Sequence, residues 1–212
     1  MRTLTVISIG VLGYSFFASP TCAQVTNPCP AAPATKLESL NTNVAVVILK
    51  ATTEIGSISA NAGTVAVRCK QVTDTSTGHK EQGIAIEITQ RGRLRDVTLI
   101  DYDEIPSLLN GIDYLNKLDI SATSFNFLDA EYTTKGGFHI AALGTRRTGA
   151  IQFAIRDART DSAPVIFSRE QLALFVGFIN QAKGTLDSLQ GAAVTPSATF
   201  LVQVVSPGPP LT

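Results

Sequence analysis

The chain has 212 residues, 17 Lys and Arg against 17 Asp and Glu, and 44% hydrophobic residues. A neutral chain of ordinary apolar content is not a charged disordered polymer. It also lacks the excess of positive charge that neutralises phosphates, so no nucleic-acid partner is expected. Two His, three Cys and no Trp leave too few ligands for a His/Cys metal site, and no cofactor is expected.

The N-terminus carries Arg2, an apolar run from Leu4 to Phe17, and then Ser19-Pro20-Thr21-Cys22-Ala23. One positive charge, a short greasy stretch and small residues before Ala23 read as a secretory signal peptide over residues 1–23. The run holds Ser8, Gly10, Gly13 and Ser15 and is too short and weak to span a bilayer. The expectation is a secreted or periplasmic protein with no membrane span after cleavage. Lipidation at Cys22 is disfavoured, because Ser-Pro-Thr precedes it where an aliphatic residue is usual. Cleavage would leave Cys29 and Cys69. In an oxidising compartment that pair reads as one disulfide. It closes a loop of 39 intervening residues, worth roughly 4 kcal/mol in the chain-entropy model. The alternative is two independent buried thiols.

Residues 24–40 are rich in Pro and Ala and read as an extended arm. A single α+β domain is expected over 41–205, with halves at 41–119 and 120–190, and a frayed tail at 206–212. Val44 to Leu49 is a continuous apolar run, the mark of a buried strand. Val65, Val67 and Cys69 alternate, as do Ile84, Ile86 and Ile88, and Leu94 to Ile100 is another strand. The period then changes: Ile105, Leu108, Leu109, Ile112 and Leu115 form a helical stripe. Pro106 fits only the first turn, which points to Asp103 as the cap.

Phe125, Phe127 and Tyr132 mark the next strand, and Gly136-Gly137 a tight turn needing positive φ at both residues. Phe138 to Ala142, Ile151 to Ile155 and Ala163 to Phe167 follow as strands. A helix from about Arg169 to Leu189 opens on the capping box Ser168 to Gln171. Its apolar stripe is wide, with Leu172, Val176 and Ile179 on one side and Leu174 and Phe178 on another. Something must cover the second side: the strand expected at Ala198 to Val205, or a second copy in a homodimer. At an offset of 67 residues the strand and helix patterns of the halves coincide. That hints at antiparallel β-meanders duplicated as two strand-strand-strand-helix halves.

No nucleophile elbow, metalloprotease motif, phosphate loop or dinucleotide fingerprint is present. His79 reads as a solvated loop residue. His139 alternates with Phe138 and Ile140 and reads as solvent-facing. Asp101, Asp103 and Glu104 are the densest carboxylates, weak candidates for Ca²⁺ or acid/base chemistry, and better read as a helix start. Arg91, Arg93 and Arg95 beside one turn, with Arg146 and Arg147 on another, are candidate binding residues for an anionic group. The leading expectation is an exported non-enzymatic binding module with an unknown ligand or protein partner. The alternatives are an exported hydrolase using Asp101, Asp103 and Glu104, and an oligomeric envelope scaffold.

Overall fold

The structure, a computed structural model, describes residues 34–90 and 95–192. The expected signal peptide, most of the expected arm with Cys29, Arg91 and Arg93, the expected strand Ala198 to Val205 and the tail 206–212 lie outside those residues. The elements are α1 (Lys36–Asn41), β1 (Ile48–Ala60), β2 (Gly63–Asp74), β3 (Lys80–Gln90), β4 (Asp96–Asp101), α2 (Ile105–Lys117), β5 (Phe127–Thr133), β6 (Phe138–Thr145), β7 (Ile151–Asp157), β8 (Val165–Phe167) and α3 (Arg169–Ala192). Strands pair in sequence order, every neighbour antiparallel, as β1-β2-β3-β4 (sheet A) and β5-β6-β7-β8 (sheet B). The class is α+β with two meanders. Each half is four strands and then a helix, one strand more than expected.

One core lies between the sheets and the two long helices. The alternating residues of sheet A supply Val65, Val67, Ile84, Ile86, Ile88 and Ile100; sheet B supplies Phe138, Ile140, Phe153, Ile155, Val165 and Phe167. α2 buries Ile105, Leu108, Ile112 and Leu115, and α3 buries Leu172, Phe175, Ile179, Ala182 and Leu186. Phe175 joins the layers: it stacks on Phe138 with centroids 5.7 Å apart and meets Phe167 edge-on at 6.1 Å. Such pairs add about 0.5–1.5 kcal/mol each beyond area burial. The capping box forms as its sequence implies. Ser168 Oγ accepts from the Gln171 N–H (3.3 Å), and Gln171 Oε1 accepts from the Ser168 N–H (3.0 Å).

Three expectations are corrected. The run Val44 to Leu49 is not a buried strand: β1 starts at Ile48, and Val44, Val47 and Leu49 are 84%, 70% and 58% exposed. β1 is an edge strand, and its later residues, rich in Thr, Ser and Gly, continue the pairing to Ala60 that no apolar pattern announced. Residues 36–41 form α1 where an extended arm was expected. At the β5–β6 turn only Gly137 has positive φ (+89°); Gly136 is required by space, since a Cβ there would lie 1.9 Å from the Leu99 carbonyl oxygen. Phe178 packs in part against β1, where Gly56 leaves room for its ring; the tail lies outside the described residues. Leu174 and Leu189 stay exposed.

The two sheets differ on their outer faces. On sheet A, α1 lays Leu37 and Leu40 over Val72, Ala85 and Leu99. Beside it runs a cross-strand ion-pair chain: Glu54–Arg68 at 2.9 Å, Arg68–Glu87 at 2.8 Å, Glu87–Arg95 at 3.2 Å. Among the described residues no helix lies on the outer face of sheet B.

Candidate functional site

The acidic cluster does not converge. Asp101 is 3% exposed and binds α1: its Oδ2 accepts from the Lys36 N–H (2.8 Å) and its Oδ1 from the Leu37 N–H (3.1 Å). Those are orphan donors of the first turn of α1, so Asp101 caps a helix 64 residues earlier in the chain. Asp103 pairs with the exposed Lys36 at 2.9 Å, which holds its carboxyl below the usual range. It caps nothing. A turn of 3₁₀ helix, Tyr102–Glu104, leads into α2 without a side-chain cap. Glu104 Oε1 accepts from the Lys135 N–H (2.8 Å), while its Oε2 is buried without a partner. The three carboxylates serve three different segments. Among the described residues no group of three or more His, Cys, Asp or Glu is placed to hold a metal ion.

The expected Arg groups also part company. Arg95 is held in the ion-pair chain of sheet A. Arg146 and Arg147 sit on the β6–β7 turn and share a depression with Phe127; Phe125 and Phe127 are 76% and 75% exposed. The Arg146 backbone N–H donates to the Asn126 carbonyl (3.0 Å), and its guanidinium to the Thr123 carbonyl (3.1 Å), fixing the turn against the start of β5. The cations Arg68, Arg95, Arg159, Lys36, Lys117 and Lys183 each have a carboxylate partner. Among the described residues Arg146, Arg147 and Arg156 do not. These three belong to sheet B or its turn; Lys50, Lys70 and Lys80 of sheet A, Lys135 of the β5–β6 turn and Arg169 of α3 also have none among the described residues.

The outer face of sheet B reads in rows across the register. Thr133, His139 and Arg156 form one row, Glu131, Ala141 and Ala154 the next, and Asp129, Leu143 and Gln152 the third. Phe127 follows on β5 by the two-residue alternation of a strand. Three depressions join along this face. One of about 580 Å³ holds Phe127, Arg146 and Arg147. The next, about 470 Å³, shares Phe127 and Arg147 and adds Leu143 and Gln152. The third, about 440 Å³, shares Asp129 and Leu143 and reaches Glu131, His139 and Arg156. Together they make a trough with an aromatic, arginine-lined end and an end of mixed charge.

His139 points away from Phe138 and Ile140, as its alternation requires, but it is only 6% exposed. Its Nδ1 lies 2.9 Å from Thr133 Oγ1, and its Nε2 lies 3.6 Å from Glu131 Oε2. Burial, aided by Arg156, holds its pKa below the usual imidazole range. His79 is exposed as expected, with Nε2 3.0 Å from Glu81. Glu131, Arg156 and the two alanines were not picked out from the sequence. The available signal was the alternation of Phe127, Asp129 and Glu131 along one strand.

No family model matches the sequence, and no curated protein matches it. Two solved structures resemble the fold at 10% identity. WHY1 from Arabidopsis thaliana aligns with a TM-score of 0.32 over 71% of this chain and 97% of that one. The plant transcriptional regulator PBF-2 aligns with a TM-score of 0.27 over 71% and 89%. These matches run against the expectation of an exported ligand-binding module with no nucleic-acid partner, and that expectation is withdrawn. At such TM-scores the likeness transfers no function to this chain. Among the described residues no helix is long and apolar enough to cross a membrane.

Proposed function

We propose that the protein binds single-stranded nucleic acid along the outer face of sheet B. The observation that carries this reading is the exposed Phe127 ring, which shares a depression with Arg146 and Arg147 at the head of a trough, with Phe125 exposed two residues before it. An exposed aromatic face stacks any base, and an unpaired Arg beside it takes the phosphate. The zero net charge of the chain does not count against this. It sums arginines locked in internal ion pairs with those of sheet B that have no carboxylate partner among the described residues. A sheet face suits unstacked bases, whereas reading a duplex major groove calls for a projecting helix or two-stranded ribbon.

Fluorescence anisotropy with a labelled thymidine homopolymer, set against a duplex of equal length, tests the reading. Saturable binding that prefers the single strand is expected. Phe127→Ala should weaken it by about 1–3 kcal/mol, the usual worth of one base–aromatic stack. Arg147→Gln should make the slope of log affinity against log salt shallower by about 0.7. No saturable binding, or binding indifferent to both substitutions, refutes it.

We also infer that the two halves descend from one strand-and-helix unit. At the 67-residue offset β3 falls on β7, β4 on β8 and α2 on α3, which supports the reading; β1 and β2 fall out of step.

A further inference from the structure

We propose that the depression floored by Ala141 and Ala154 is a nucleotide subsite that selects bases bearing an exocyclic amino group. The inference rests on the nucleic-acid reading and names what the far end of the same trough would recognise. The floor is made by two small side chains facing each other across β6 and β7, each only 5% exposed although no helix covers them among the described residues. Taller neighbours wall them in. On the β5 side stand Asp129 and Glu131; on the β7 side stands Arg156, with Thr160, Asp161, Ser162 and Pro164 of the loop that follows β7. These walls are two strand spacings apart, roughly 10 Å. That is about the reach of one nucleotide from the amino edge of its base to its phosphate.

The charges on the walls are not spent on each other. Among the described residues Arg156 has no carboxylate partner, and the nearest cation to Glu131 is His139 at 3.6 Å. Burial and Arg156 favour the neutral form of that imidazole, so near neutral pH it leaves the carboxylate uncancelled. A flat ring laid on the two alanines would present its edge to Glu131 and Asp129 and its phosphate to Arg156. Carboxylates accept hydrogen bonds and donate none when ionised. They are satisfied by the amino group of cytosine and repelled by the carbonyl that thymine carries in its place. Phe127 and Glu131 lie four residues apart on β5, about 13 Å. A strand stacked on Phe127 therefore carries its following nucleotides over the floor.

The experiment compares deoxycytidine and thymidine homopolymers of equal length, by anisotropy near neutral pH. The wild type should prefer deoxycytidine about tenfold, the discrimination of one good carboxylate–amino contact. Glu131 is largely exposed, with 66% of its side chain accessible, so Glu131→Gln should fold normally. It should remove the preference, weakening deoxycytidine binding and relieving the repulsion of the thymine carbonyl. Ala154→Leu, which fills the floor, should remove it too. Equal affinity of the wild type for both polymers, with both still weakened by Phe127→Ala, overturns the subsite and leaves the nucleic-acid reading standing. So does a preference that survives Glu131→Gln. Binding of neither polymer overturns the nucleic-acid reading itself, and the subsite with it.

Discussion

Replacing Asp101 by Ala should cost far more than the same change at Asp103, although the two carboxylates are near neighbours in the chain. Asp101 is buried and accepts two backbone hydrogen bonds from α1. Hydrogen bonds to a charged group are worth about 1.5–3 kcal/mol each, and their loss leaves two α1 donors without partners. A helix of six residues does not persist without its attachments. Thr35 Oγ1 accepts from the Glu38 N–H (3.0 Å), and Glu38 reaches Arg159 at 2.5 Å, so α1 keeps some hold after Asp101 is lost. A loss of about 3 kcal/mol is therefore expected, rising if Leu37 and Leu40 come off sheet A, since burying one such side chain is worth roughly 1.5–3 kcal/mol. For a domain of this size 1 kcal/mol moves Tm by about 2–4 °C, so Asp101→Ala should lower Tm by about 6–12 °C. Asp103→Ala removes an exposed ion pair and should leave Tm unchanged within error. Thermal unfolding by circular dichroism reads both. Equal effects would refute the placement of Asp101 as the anchor of α1.

Two further outcomes follow from the fold, and a third from the sequence expectation of a disulfide. Gly136→Ala should cost about 3 kcal/mol, because its Cβ would press on the Leu99 carbonyl where only backbone could yield. Gly137→Ala, strained by its φ of +89° but facing the flexible Arg159 side chain, should cost about 1–2 kcal/mol; urea unfolding that ranks them the other way contradicts the packing described. His139 titrates below its unfolded value, so its contribution to stability is complete above pH about 6.5 and is lost as pH falls from there toward its folded pKa. His139→Gln should flatten the stability profile in that window, above the range where Glu38 and Asp74 protonate, and an unchanged profile would exclude His139 as the cause. Cys69 lies buried under α3 with Sγ 3.5 Å from the Ala182 carbonyl, and burial raises its thiol pKa. The bridge to Cys29 requires that sulfur to be brought beneath the same helix. Thiol counting on denatured, non-reduced protein lacking residues 1–23 should find none, and two would refute the bridge.

Periodicity read the interior well and the exterior poorly. The stripes of α2 and α3, the alternation of β2, β3, β6 and β7, and the Ser168–Gln171 box are all satisfied within a few residues of one another, so local pattern sufficed. β1 was missed because an edge strand needs only one pairing partner and no apolar face; Thr, Ser and Gly serve there. The apolar run at Val44 misled for the complementary reason: hydrophobicity says nothing of whether a second layer is present to cover it. Asp101 was assigned to its own helix because its real partner is 64 residues away. The trough was illegible because His139, Glu131 and Arg156 meet only through the register of three strands. No spacing within any one strand encodes that register.

The bare outer face of sheet B has a consequence for how this protein can change over time. Sheet A spends both faces on holding itself together, one in the core and one under α1 and its ion pairs, so a substitution on either side is paid in stability. Sheet B is held chiefly by its inner face, with His139, Ala141 and Ala154 the buried residues of its outer one. Positions 127, 129, 131, 143 and 152 can be re-lettered with little effect on folding, and selection on them is free to follow the ligand. Two descendants of this sequence could share every core residue and recognise different molecules.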